Sequence, residues 1–209
     1  MKKTYKIGFI VFILFAFCLS LAGTSLAKSA KEIEQEARSA LQKLYSTSPA
    51  ALELSKKAKG ILVFPKIVKA GLIVGGQYGE GALFVDDKVK GFYNSVSGTF
   101  GLQAGAQTFG YALFFMTDDA LKYLEKSSGW EIGVGPSVVV VDKGTAKTLT
   151  TTTGKADIYA FIFSQKGLMA GLGLQGSKIS KINPEQDTNK AKEPEAGNSG
   201  NSKTQTKKK

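Results

Sequence analysis

The chain contains no histidine and a single cysteine, Cys18, in 209 residues. Without an imidazole there is no Ser-His-Asp triad, no histidine metal ligand and no histidine general base. Cys18 lies within an apolar run from Ile7 to Ala22. A lipoprotein signal needs a small residue directly before its cysteine; Phe17 stands there, so lipidation is not expected. Past Cys18 nothing remains for disulfides, thiol nucleophiles or cysteine-zinc clusters. Most familiar hydrolase and metalloenzyme designs fall to this inventory, and no metal or other cofactor is expected. Long apolar stretches are scarce as well. The run Ile7–Ala22 has 16 residues, short of the roughly 20 that a spanning helix needs.

That run nevertheless has a purpose. Lys2, Lys3 and Lys6 precede it, and a polar break ending Ser25-Leu26-Ala27 follows. A basic start, an apolar middle and small residues before a cut form the pattern of a secretory signal peptide. Residues 1–27 are therefore expected to be removed after Ala27, leaving a periplasmic or secreted protein. The segment carries three lysines and no acid, so its loss takes the net charge from +11 to +8. A basic exported domain favours anionic partners such as lipid headgroups or cell-wall polymers; export argues against nucleic acid. From residue 183 onward almost nothing apolar remains and the chain ends in three lysines, the composition of a disordered basic tail. One domain over residues 28–182 is left.

The domain opens with helical patterns. Ser29 and Glu32 have capping-box spacing, and Ile33, Ala37, Ala40, Leu41 and Leu44 recur every three or four residues. This predicts an amphipathic helix from Ser29 to Tyr45. Alanine in its apolar stripe and mixed charge on its polar face favour packing on a sheet over lying in a membrane. Ser48-Pro49 starts a second helix, with Lys56, Lys57 and Lys59 towards its end and Gly60 as its stop. Glycine, aromatic and β-branched residues then dominate. Ile61–Phe64 is a short apolar run ended by Pro65. Strands are expected in Gly71–Tyr78, Gly81–Asp86, Val89–Val96 and Thr99–Thr108, with a hairpin turn at Asp86-Asp87-Lys88. Thr117 caps a short helix carrying Ala120, Leu121 and Leu124. Further strands are expected in Ile132–Asp142, Lys147–Thr153, Asp157–Phe163 and Gly167–Gln175. The fold class is α+β: N-terminal helices packed on a glycine-rich, strongly curved antiparallel sheet or partial barrel. Faint self-similarity links Lys69–Gly75 with Lys166–Gly171.

Several blocks are more specific. Ala58-Lys59-Gly60-Ile61-Leu62-Val63-Phe64-Pro65, followed by Lys69-Ala70-Gly71, resembles the signature of the SYLF domain. The likeness continues through Gly75–Gly81, Gly101–Gln107, Gly129-Trp130-Glu131, Phe161–Leu168 and Gly171–Ile179, in the family's order and across about residues 30–182. This resemblance implies lipid binding: eukaryotic members bind phosphoinositides and associate with membranes, and yeast members also engage actin. Bacterial members look like this chain, a signal peptide followed by the domain alone. An exported protein would not meet actin, so the resemblance carries over as affinity for an anionic lipid or membrane surface.

Two lysine clusters are candidate lipid contacts: Lys56, Lys57 and Lys59, and beyond one short strand Lys66 and Lys69. Lysines near an anionic membrane contribute roughly 1 kcal/mol each. Three other readings stand beside this one. The first is an envelope interaction module without a lipid ligand. The second is an enzyme built on a carboxylate pair, for which Glu80 and Glu131 are the best placed. The third is an outer-membrane barrel, against which the leading helices and glycine-broken strands both argue.

Overall fold

The computed structural model describes residues 28–71, 74–100, 105–141, 156–168 and 176–184. The signal-peptide segment, the strand expected at Lys147–Thr153, most of the one expected at Gly167–Gln175 and most of the tail lie outside them. Helix α1 (Ala30–Thr47) begins as its sequence dictates. The Ser29 side chain accepts from the Glu32 amide, and the Glu32 carboxylate accepts from the Ser29 amide at 2.9 Å. Ser48 serves both helices: its amide donates to Leu44 O, and its hydroxyl accepts from Ala51 N at the start of α2 (Pro49–Ser55). Helix α2 stops before the three lysines rather than after them, with Lys56 as its cap. Gly60 does not end a helix; it opens the first strand.

The strands are β1 (Gly60–Gly71), β2 (Val74–Val85), β3 (Lys88–Phe100), β4 (Gly105–Phe115), β5 (Trp130–Glu131), β6 (Val138–Val141), β7 (Ile158–Leu168) and β8 (Lys178–Ile182). Helix α3 (Asp118–Lys126) joins β4 to β5. They form one eight-stranded sheet in the order β5-β8-β3-β2-β1-β4-β7-β6, curled into a half-barrel. Among the described residues every pairing is antiparallel except β6 with β7, which is parallel. The stretch 132–137 is turn rather than strand, so β6 is shorter than expected.

Three further boundaries differ from the sequence reading, each for a physical reason. Gly71–Tyr78 is not one strand: the chain reverses after Gly71, which pairs with Gly75. A Cβ on Gly71 would lie 2.5 Å from Gly75 Cα, an approach that glycine alone permits. Thr99–Thr108 likewise divides into the end of β3 and the start of β4. Pro65 does not end a strand either. β1 runs through it, with register shifts between Val63 and Val68 on one side and between Phe64 and Ile67 on the other. Proline has no amide hydrogen for the ladder, and a bulge is where a central strand tolerates it.

The expected hairpin turn is present. Asp86 and Asp87 both have positive φ, 49° and 59°, the signature of a type I′ loop that matches strand twist. Arg38 of α1 anchors it. Its guanidinium donates to Asp87 O at 3.0 Å, stacks over the Phe84 ring at 4.8 Å and pairs with Glu34.

The sheet buries both faces over half its length. On the concave face Leu62, Phe64, Leu83, Tyr111, Leu113, Phe115, Trp130 and Ile158 pack with Leu124 of α3. On the convex face Ile33, Ala37 and Leu44 of α1 and Ala51 of α2 cover Val63, Ala82, Phe84, Phe114 and Phe161. The apolar stripe of α1 is spent on the sheet, as its alanines predict.

Candidate functional site

The helices cover one end of the strands and leave the other open. At the open end the two faces diverge in chemistry. Alternation along β2 puts Gln77, Gly79, Gly81 and Leu83 on the concave side, and register then assigns their neighbours. Lys69 pairs with Gln77 on one side and Gln107 on the other, and Ser95 stands opposite Gly79. Lys69, Gln77, Ser95, Gln107 and Ser177 are all buried. They form a polar layer continuing the concave core beyond Phe64 and Tyr111. Gln77 Nε2 donates to Ser177 Oγ at 2.6 Å. Ser95 Oγ, Gln107 Oε1 and Tyr111 Oη have no partner within hydrogen-bonding geometry. Burial pushes the Tyr111 hydroxyl's pKa well above its ordinary value, with the nearby Ser95 hydroxyl pulling weakly the other way. Ser95 on β3 and Tyr111 on β4 are separated by β2 and β1 in the sheet, so their approach reports how tightly it curls.

The convex face of the same end is apolar and exposed. Register places Val96, Tyr78, Val68 and Thr108 side by side across β3, β2, β1 and β4. Lys178 of β8 stands beyond Val96, and Lys166 of β7 beyond Thr108. Val96, Tyr78 and Val68 are 44%, 48% and 46% exposed. The Tyr78 hydroxyl donates to Glu80 Oε1 at 2.7 Å. No sequence signal short of the register could have found this row, because its members come from six strands.

The five candidate lysines do not share a face. Lys56, Lys57 and Lys59 are exposed at the helix-covered end, where Lys56 pairs with Glu53 at 2.6 Å. Lys66 is exposed in the β1 bulge. Lys69 is 5% exposed and faces the concave layer. Nine residues of strand rise separate Lys59 from Lys69 by roughly 30 Å. The internal likeness of Lys69–Gly75 to Lys166–Gly171 is not carried into orientation: Lys69 faces inward and Lys166 outward. Glu80 and Glu131 do not converge either. Glu131 pairs with Lys178 on the edge strand, three strand spacings or about 14 Å from β2, beyond the reach of a glycosidase-type pair. Among the described residues no cluster of carboxylates could hold a metal, and no helix is long and apolar enough to cross a membrane.

The curled sheet thus presents two chemically distinct surfaces at its open end, a buried polar inner layer and an exposed apolar outer row. Residues 96–191, from the middle of β3 past the end of β8, match the family model described as Ysc84, Las17-binding protein actin regulator. Over those residues the chain is consistent with a SYLF-domain protein, a family of binding domains. No curated protein matches it.

Proposed function

We propose that this protein is a non-enzymatic lipid-binding module that is exported and holds to anionic lipid at a cell-envelope surface. The observation that carries the reading is the family match over β3–β8, on a sheet whose open end presents apolar side chains and lysines to water. Export rests on the signal-peptide pattern of residues 1–27, and it is why the family's actin regulation is not transferred to this chain. Lys56, Lys57, Lys59 and Lys66 are the exposed cations among the candidate contacts; Lys69 would reach a headgroup only from the concave side. Co-sedimentation of the purified protein with phosphatidylcholine vesicles, with and without phosphatidylglycerol, tests the reading. Binding should require the anionic lipid and weaken as salt rises. Absence from both vesicle pellets would refute it, leaving an envelope interaction module without a lipid ligand.

A further inference from the structure

We infer that the convex face at the open end, centred on Val68, Tyr78 and Val96 and bracketed by Lys166 and Lys178, is the surface that docks on an anionic bilayer. The inference rests on the lipid-binding reading and names the place where it acts.

The solvent face of an antiparallel sheet normally alternates to polar residues. Here three large apolar side chains stand adjacent on neighbouring strands, each close to half exposed. The next row towards the strand tips is Gly98, Gly76, Ala70 and Ala106, with no charge to oppose approach. Val74, beyond it, is also exposed. An apolar strip with basic ends is the composition of an interfacial surface: the strip enters the headgroup boundary and the ammonium groups meet phosphate. Lys166 and Lys178 are exposed at the two ends of the row, and Lys66 is exposed two residues before Val68. The acids nearby are placed compatibly. Glu131 lies outside Lys178 at the sheet edge, and Glu80 is held by the Tyr78 hydroxyl.

Two irregularities create this face. Strict alternation from inward Phe64 would turn Val68 inward and Lys69 outward; the bulge at Pro65 adds a residue and exchanges them. On β7 the register shifts between Thr108 and Gly110, where Ser164 has φ 54°, and that shift turns Lys166 outward. Helix α1 cannot compete as the membrane element, because its apolar stripe is buried.

The test compares variants in the phosphatidylcholine–phosphatidylglycerol vesicle assay. Val68→Ser/Val96→Ser should bind at least tenfold more weakly while keeping the circular dichroism spectrum of the parent. Lys166→Gln/Lys178→Gln should bind roughly tenfold more weakly, with a flatter salt dependence. Lys31→Gln/Lys43→Gln, two exposed lysines of α1 at the helix-covered end, should bind within about twofold of the parent if the open end faces the bilayer. A Val68→Trp reporter should shift its emission to the blue on adding anionic vesicles. Parent-like binding by the Val68/Val96 variant overturns this surface and leaves the lipid reading intact; no binding by the parent overturns both. Concentration-dependent dimerisation that the same variant abolishes, without vesicle binding, would make a second copy of the chain the occupant and overturn the proposal.

Discussion

Single buried polar atoms separate two kinds of serine. Ser177 Oγ is the acceptor for Gln77 Nε2, so Ser177→Ala strands a buried amide and should cost about 1–3 kcal/mol. Ser95 Oγ is equally buried, and its polar neighbour, the Tyr111 hydroxyl, stands outside good hydrogen-bonding geometry. Ser95→Ala therefore removes a desolvated hydroxyl in a weak contact, and should cost less than Ser177→Ala. Urea midpoints of the two variants test this contrast. Two tyrosines add a pH dependence. Burial, with the Glu125 charge second, pushes Tyr93 up to about 12, and burial pushes Tyr111 up as well. The unfolded hydroxyls ionise near 10, so above that the unfolded state binds fewer protons than the folded one. Stability from this source is intact below about pH 10 and falls as pH rises towards the folded values. Urea midpoints from about pH 9 to about pH 11.5 should fall, and the fall should be smaller in Tyr93→Phe.

At the scale of elements, Arg38 joins helix α1 to the β2–β3 hairpin. It stacks on Phe84, donates to Asp87 O and pairs with Glu34. Arg38→Ala should cost about 1–2 kcal/mol, a stacked cation plus one hydrogen bond. Arg38→Lys should recover little, since an ammonium lacks the planar fork that serves all three partners. Thermal melts of the two variants would check this, and a lysine variant as stable as the parent would remove the stacking from the account. The start of the parallel pair β6–β7 is fastened differently. Asp157 Oδ2 accepts from the Ser137 amide and hydroxyl at 3.0 and 2.7 Å, and the Asp157 amide donates back to Ser137 Oγ. These bonds hold the Asp157 carboxyl below its usual pKa.

Over the whole molecule the lysines divide by position. Those after α2 lie at the helix-covered end, and Lys66, Lys166 and Lys178 lie around the open one. Lipid attraction should therefore follow geometry rather than total charge. A chain exported as proposed should have lost residues 1–27 when recovered from the extracytoplasmic fraction. Intact-mass measurement finding Lys28 as its first residue would check this; retention of Met1–Ala27 would replace export by a membrane-attached form.

Much of the architecture was legible in the chain because it rests on local chemistry. The Ser29–Glu32 cap, the apolar period of α1, the Asp86-Asp87 turn and the glycine-rich strand content each act within a few residues. The family blocks and the missing histidine were equally plain. What the sequence could not determine by itself was which way the side chains of β1 and β7 face. A strand alternates with period two, and one inserted residue reverses everything after it. The bulge at Pro65 sends Lys69 into the polar layer and Val68 to the surface, and the shift in β7 brings Lys166 out. The open row thus exists only once six strands are in register. Its members sit one on each of those six strands, and tertiary structure alone brings them together.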